Sequence, residues 1–186
     1  MILSVLFNNE VHYSESWDAT SRLITEAMES LRGEEQEADG AFYPGDDAWF
    51  RLAERGDSDE APVAKSYLRV AINRHTGYGA AVWFVNQEFP KGGEIYESVW
   101  ISDNSEPPDF DPRVVSDPHY PLFHDPTSTL PIPRIRTVVE EFCRVGTGER
   151  PECISWVAGE MNGQRFDRPP ITEFVEDPEI DWDSLR

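Results

Sequence analysis

The histidines, cysteines and carboxylates of this chain could hold a metal, attack an electrophile or move a proton, and their spacing decides among these. His119 and His124 lie five positions apart with Asp117 and Asp125 beside them. Zinc sites favour pre-set ligands at tighter spacing, usually with a second pair elsewhere, so this quartet reads as a polar, solvated loop. His12 and His75 stand alone beside expected turns. Cys143 and Cys153 follow no glycine-rich elbow and adjoin no histidine, the settings that activate a thiol. Both sit in apolar runs and read as buried, reduced thiols. Carboxylates are so abundant that some pair must fall close together, and closeness alone is no sign of acid–base work. Asp57-Ser58-Asp59-Glu60 lacks the glycine and closing glutamate of a calcium loop. Gly77-Tyr78-Gly79 and Gly146-Thr147-Gly148 precede no Lys-Ser/Thr pair, so they read as turns and not as phosphate cradles. The expectation is a binding protein and not an enzyme, with no metal and no cofactor.

Charge says more about binding. The 186 residues include 36 acidic and 16 basic ones, a formal net charge of −20. Such a surface repels nucleic acid and anionic lipid and draws in cationic partners, although solubility or salt adaptation would also produce it. The acids gather at Glu34–Glu60, Asp103–Asp125 and Glu173–Asp183. Within these runs Trp49 follows Asp46-Asp47, and Trp182 lies between Asp181 and Asp183. An aromatic ring among acids can anchor a basic partner; a locally packed loop tryptophan is the other reading. Asp46, Asp47, Trp49, Asp103, Glu106, Asp109, Asp111, Asp181 and Trp182 are therefore the expected partner-binding residues. Trp83, Trp100 and Trp156 fall on expected strands and read as core.

Those residues need a frame. Ile2–Phe7 reads as a central strand, closed by Asn8-Asn9. From about Ser16 a helix follows, with Trp17, Thr20, Ile24, Ala27, Met28 and Leu31 at helical spacing and Gly33 as its stop. Ala48–Leu52 is a short strand. Lys65–Arg74 and Tyr78–Val85 form a hairpin about His75-Thr76-Gly77, and Glu94–Ile101 adds a third strand to the meander. The stretch Asp103–Pro131, with seven prolines, reads as a long irregular connection. Pro133 opens a second helix with Ile135, Val138, Val139, Phe142 and Val145 on one face; Gly146-Thr147-Gly148 ends it. Cys153–Ala158 is a last strand. This order implies an α+β domain, a mostly antiparallel sheet with two main helices packed on one face. Residues 1–160 would form the domain and 161–186 an acidic C-terminal tail. The chain shows no export leader and no apolar run near the ~20 residues of a membrane helix, so a cytoplasmic location is expected; oligomeric state is left open.

The last third carries a resemblance. Leu130-Pro131-Ile132-Pro133, the helix with Val138, Val139 and Phe142, then Thr147-Gly148-Glu149-Arg150-Pro151 and Ile154-Ser155-Trp156 are similar to the immunity-protein family of bacterial polymorphic toxin systems, often encoded beside nucleic-acid deaminase toxins. Gly79–Phe84 fits the glycine-initiated aromatic strand of that family. The resemblance covers about residues 60–157 and leaves the acidic stretch Glu34–Glu60 and the tail outside it. It implies a stoichiometric inhibitor that binds and occludes a cognate protein toxin with a basic surface. A metal-dependent hydrolase using surface carboxylates, and a general acidic adaptor or nucleic-acid mimic, are the competing expectations.

Overall fold

A computed structural model of the protein describes residues 2–36, 41–53, 66–85, 98–119 and 122–169. Among them β1 (Ile2–Phe7) and β2 (Glu10–Ser14) form a hairpin that the sequence reading missed. Its turn is Asn8-Asn9, with φ of 50° and 61°, the left-handed pair that a two-residue hairpin turn needs and that asparagine tolerates. After α1 (Trp17–Ser30) come two short paired strands, β3 (Glu35–Gln36) and β4 (Phe42–Tyr43). Then follow β5 (Asp47–Ala53), β6 (Ser66–Asn73), β7 (Tyr78–Val85) and β8 (Val99–Asp103). Residues 94–97, expected to open the third strand of the meander, lie outside the described residues.

The connection after β8 is less irregular than its prolines suggest. It contains a small hairpin, β9 (Val115–Asp117) with β10 (Leu122–Phe123), a 3-10 turn at Pro126–Ser128, and β11 (Leu130–Pro131), which pairs with β7. Then α2 (Ile132–Val145) leads to β12 (Ser155–Ala158). The large sheet runs β12-β8-β7-β6-β5-β1-β2, with β11 beside β7, and every pairing is antiparallel. The α+β architecture is as expected, and β1 sits inside the sheet.

Both helices contribute to one core. Leu23, Ile24, Ala27 and Met28 of α1, and Ile135, Val138, Val139 and Phe142 of α2, pack with Val5, Phe50, Leu68, Val70 and Trp83 from the sheet. Phe50 and Phe142 are both essentially sealed from water, each worth about 1.5–3 kcal/mol of burial. Two residues assigned to these apolar stripes face outward instead. Trp17 is exposed, with the Arg144 guanidinium 4.4 Å above its ring, and Val145 is 56 % exposed at the end of α2.

The helix ends follow local chemistry. Ser16 caps α1, its Oγ accepting from the Ala19 N–H at 3.3 Å. Gly146, at φ 68°, closes α2 in the left-handed conformation, its N–H donating to the Phe142 carbonyl. Gly33 does not stop α1, which turns extended at Leu31. A Cβ on Gly33 would lie 2.5 Å from Asn73 Oδ1, so that glycine permits a close approach to β6. Gly79 is likewise a packing residue within β7 and not a turn: a Cβ there would meet the Ala71 carbonyl at 2.7 Å and Ile135 at 3.1 Å.

Candidate functional site

The sheet face away from the helices carries a row of registered residues: Trp49 opposite Arg69, Arg69 opposite Val82, and Val82 opposite Ile101. Arg69 is only 7 % exposed. Its Nη2 donates to the Ser116 carbonyl at 2.7 Å and to the Met161 carbonyl at 2.5 Å, and its Nε lies 3.9 Å from Asp47. Trp49 is half-buried, set edge-on against Phe84 at 5.6 Å with the Arg69 guanidinium 5.6 Å from its ring. Burial raises the Asp47 pKa, with Arg69 opposing, and burial lowers that of Arg69. Asp47 and Trp49 thus meet at a buried arginine that ties the β9–β10 hairpin and residues 161–163 to the sheet.

The neighbouring acids are also engaged. Asp46 accepts from the Tyr43 hydroxyl and lies 3.4 Å from Arg32 Nε. Burial and that carboxylate together push the Tyr43 phenol up to about 12. Glu34 pairs with Arg113 at 2.6 Å, and Glu35 lies 3.6 Å from His75.

His119 and His124 are not alike. His119 is exposed, its backbone N–H received by Asp117 Oδ1 at 3.0 Å. His124, expected in a solvated loop, is 3 % exposed, because the β9–β10 hairpin turns it inward beneath Gly163, whose Cβ would meet its ring at 3.0 Å. Burial, with Arg69 adding to it, pushes the His124 pKa down to about 3, so the ring is neutral. Its Nδ1 and the Ser116 Oγ lack hydrogen-bond partners. Burial pushes the Cys153 thiol up to about 12 and the Cys143 thiol up as well, leaving both protonated and poor nucleophiles. Among the described residues no cluster of three or more His, Cys, Asp or Glu has a metal-binding arrangement, and no helix is long and apolar enough to cross a membrane.

The second acidic stretch begins where β8 ends. Asp103 pairs with Arg165 at 2.8 Å, and Arg165 also holds Asp167 at 2.8 Å. Beyond it, Asn104 fixes the loop: its N–H donates to the Thr127 carbonyl and its Nδ2 to the Thr129 carbonyl, both at 2.7 Å, while its Oδ1 receives the Glu106 N–H at 3.0 Å. The far end is tied by Asn73 Nδ2 to the carbonyls of Pro112 and Arg113 at 3.0 and 3.2 Å, and by Thr76 Oγ1 to Pro112 at 3.0 Å. Between these ties Glu106, Asp109, Phe110 and Asp111 are exposed. Asp111 receives the Arg113 N–H at 2.9 Å, and no basic side chain pairs with Glu106, Asp109 or Asp111 among the described residues. The structure brings Asp103 and Glu106 together on a cleft of about 240 Å³. Asp181 and Trp182 lie outside the described residues.

The strand and turn motifs of the last third prove to be framework. The Gly148 carbonyl receives the Trp83 indole N–H at 3.0 Å and the Ser66 hydroxyl at 2.6 Å. The Arg150 guanidinium lies 3.8 Å from the centre of the Trp100 ring, and the Pro151 carbonyl receives the Trp156 indole N–H at 2.7 Å. Thr147–Pro151 thus joins α2 to four strands of the sheet, β6, β7, β8 and β12.

Comparison with known families matches residues 12–158 to the family described as Immunity protein Imm1. The match extends through α1 and the Glu34–Glu60 stretch, both of which fell outside the resemblance read from the sequence. No curated protein and no solved structure matches. A match over that share of the chain, running through both helices and most of the sheet, is decisive: the protein belongs to the Imm1 immunity-protein family.

Proposed function

We propose that this chain binds and neutralises a cognate toxin by stoichiometric occlusion, that the toxin is a nucleic-acid deaminase, and that the encounter takes place in the cytoplasm. The family match over residues 12–158 carries the reading. The charge supports its finer part. An enzyme acting on DNA or RNA needs a basic substrate groove, and a chain of net charge −20 suits such a groove as a phosphate stand-in that arrives at a raised rate. Its role is inhibition, not catalysis.

The partner surface centres on Glu106, Asp109 and Asp111, whose loop is held at both ends. Asp46, Asp47, Trp49 and Asp103 serve the fold first, because each is committed to an internal partner. Residues 161–169 belong with the domain, since Met161, Gly163 and Arg165 all pack on it.

The test is to purify this chain with the toxin encoded in the adjacent gene. A stable one-to-one complex whose deamination of single-stranded and double-stranded DNA and of RNA falls to nothing at equimolar ratio is the expected result. No complex, or a complex of undiminished activity, would overturn the reading.

A further inference from the structure

Phe110 is 47 % exposed, lies between Asp109 and Asp111, and sits on a backbone pinned at Asn104 and at Pro112–Arg113. Its ring meets Tyr78 edge to face, with centroids 5.7 Å apart at 84°. An exposed aromatic side chain held this way loses little conformational freedom on binding, which is the property of an interface anchor. Beside the pair lies the cleft of about 240 Å³, floored by Leu130 and Ile154 and walled by Tyr78. Of the charged groups lining it, Asp103 is engaged by Arg165, while Arg134 donates to the Cys153 carbonyl at 2.9 Å and keeps its positive charge, which the carboxylates of Glu106, Asp109 and Asp111 outnumber. Glu106 is the carboxylate left to face an incoming charge.

We propose that the Phe110–Tyr78 pair and this cleft form a docking groove for an arginine side chain presented by a basic protein partner. The apolar floor and aromatic rings suit the arginine stem and the flat face of its guanidinium, and Glu106 suits its fork of N–H donors. Asp109 and Asp111 draw the basic segment toward the groove. Trp49 follows two acids in the sequence in a similar way, but its ring is already covered by Arg69 and Phe84, so the anchor is Phe110. This inference rests on the immunity reading for the identity of the partner but not for the chemistry of the groove.

The test titrates the full-length, isotope-labelled chain with the peptide Gly-Arg-Gly-Arg-Gly and its lysine and citrulline counterparts, followed by NMR. Saturable shifts concentrated at Tyr78, Glu106 and Phe110 are expected with the arginine peptide, with about tenfold weaker binding of the citrulline peptide. Phe110→Ala and Glu106→Gln should each weaken binding at least about threefold. Shifts spread evenly over the acidic surface, equal binding of the lysine peptide, or concentration-dependent shifts at Phe110 without peptide (a second copy as occupant) would overturn the proposal. In parallel, Phe110→Ala should weaken the complex with the adjacent gene's toxin at least about tenfold, and Phe110→Leu should keep part of it. A complex that forms but ignores both substitutions sinks the groove and leaves the immunity reading standing. Failure of any complex sinks the immunity reading, while the peptide titration still decides the groove.

Discussion

Glu34, Asp46 and Asp47 each pair with an arginine, Arg113, Arg32 and Arg69 in turn, whereas Glu106, Asp109 and Asp111 pair with none among the described residues. In sequence the two stretches look alike, both acid-rich and each holding an aromatic residue next to acids. Their uses are opposite. The first spends its charge inside the molecule, where a buried guanidinium fastens a hairpin and a C-terminal segment onto the open face of the sheet. The second is held by amide and carbonyl hydrogen bonds that leave its carboxylates in water. A run of acids therefore says nothing about availability until the arginines that reach it are known.

Substitutions can break or sharpen this contrast, and the largest effect belongs to Arg69. Arg69→Met strands Asp47 and the carbonyls of Ser116 and Met161, and should lower stability by about 3–5 kcal/mol in urea unfolding. A loss below about 1 kcal/mol would mean that the arginine does not organise this face. Next comes the acid limb of stability. The His124 pKa is depressed in the folded state to about 3, so between about pH 6.5 and 3 the unfolded chain binds the extra proton. Stability conferred by the neutral ring is complete above pH 6.5 and falls with acidification, by at most about 1.4 kcal/mol per pH unit. Thermal melts across that range should show the decline, and His124→Asn should flatten it; an unchanged slope would contradict the burial argument. Asp46→Asn should cost about 1 kcal/mol, since a charged acceptor for Tyr43 and Arg32 becomes neutral. The triple variant Glu106→Gln, Asp109→Asn, Asp111→Asn should move stability by less than about 0.5 kcal/mol, its asparagine at 111 still able to receive the Arg113 N–H.

Much of the frame was legible because it rests on local rules. Alternation and apolar runs located β5, β6 and β7, and Pro133 and Gly146 bounded α2 by their backbone chemistry. The β1–β2 hairpin was missed because its turn has no glycine, although Asn8-Asn9 offers the same left-handed geometry. Trp17 misled because an aromatic at helical spacing can also lie flat under an arginine on the surface. The candidate site was legible only as a list of acids. What separates Asp47 from Asp109 is Arg69, which strand register sets opposite Trp49 and so within 3.9 Å of Asp47 two positions along the same face, and Arg113 reaches Glu34 across 79 residues. The same holds for His124, whose burial depends on Gly163 arriving from beyond the last strand. Phe110 was passed over because the sequence does not show that Tyr78 and two pinned loop ends keep its ring in place.

The central claim is that the acids of 106–111 meet the partner while those of 34–47 hold the fold. The most direct measurement is the affinity for the adjacent gene's toxin of the triple 106/109/111 variant and of Asp46→Asn, each at low and raised salt. The triple variant should bind at least about tenfold more weakly with a flatter salt dependence, and Asp46→Asn should bind as the parent does. Equal losses in both, or a loss confined to Asp46→Asn, would contradict it.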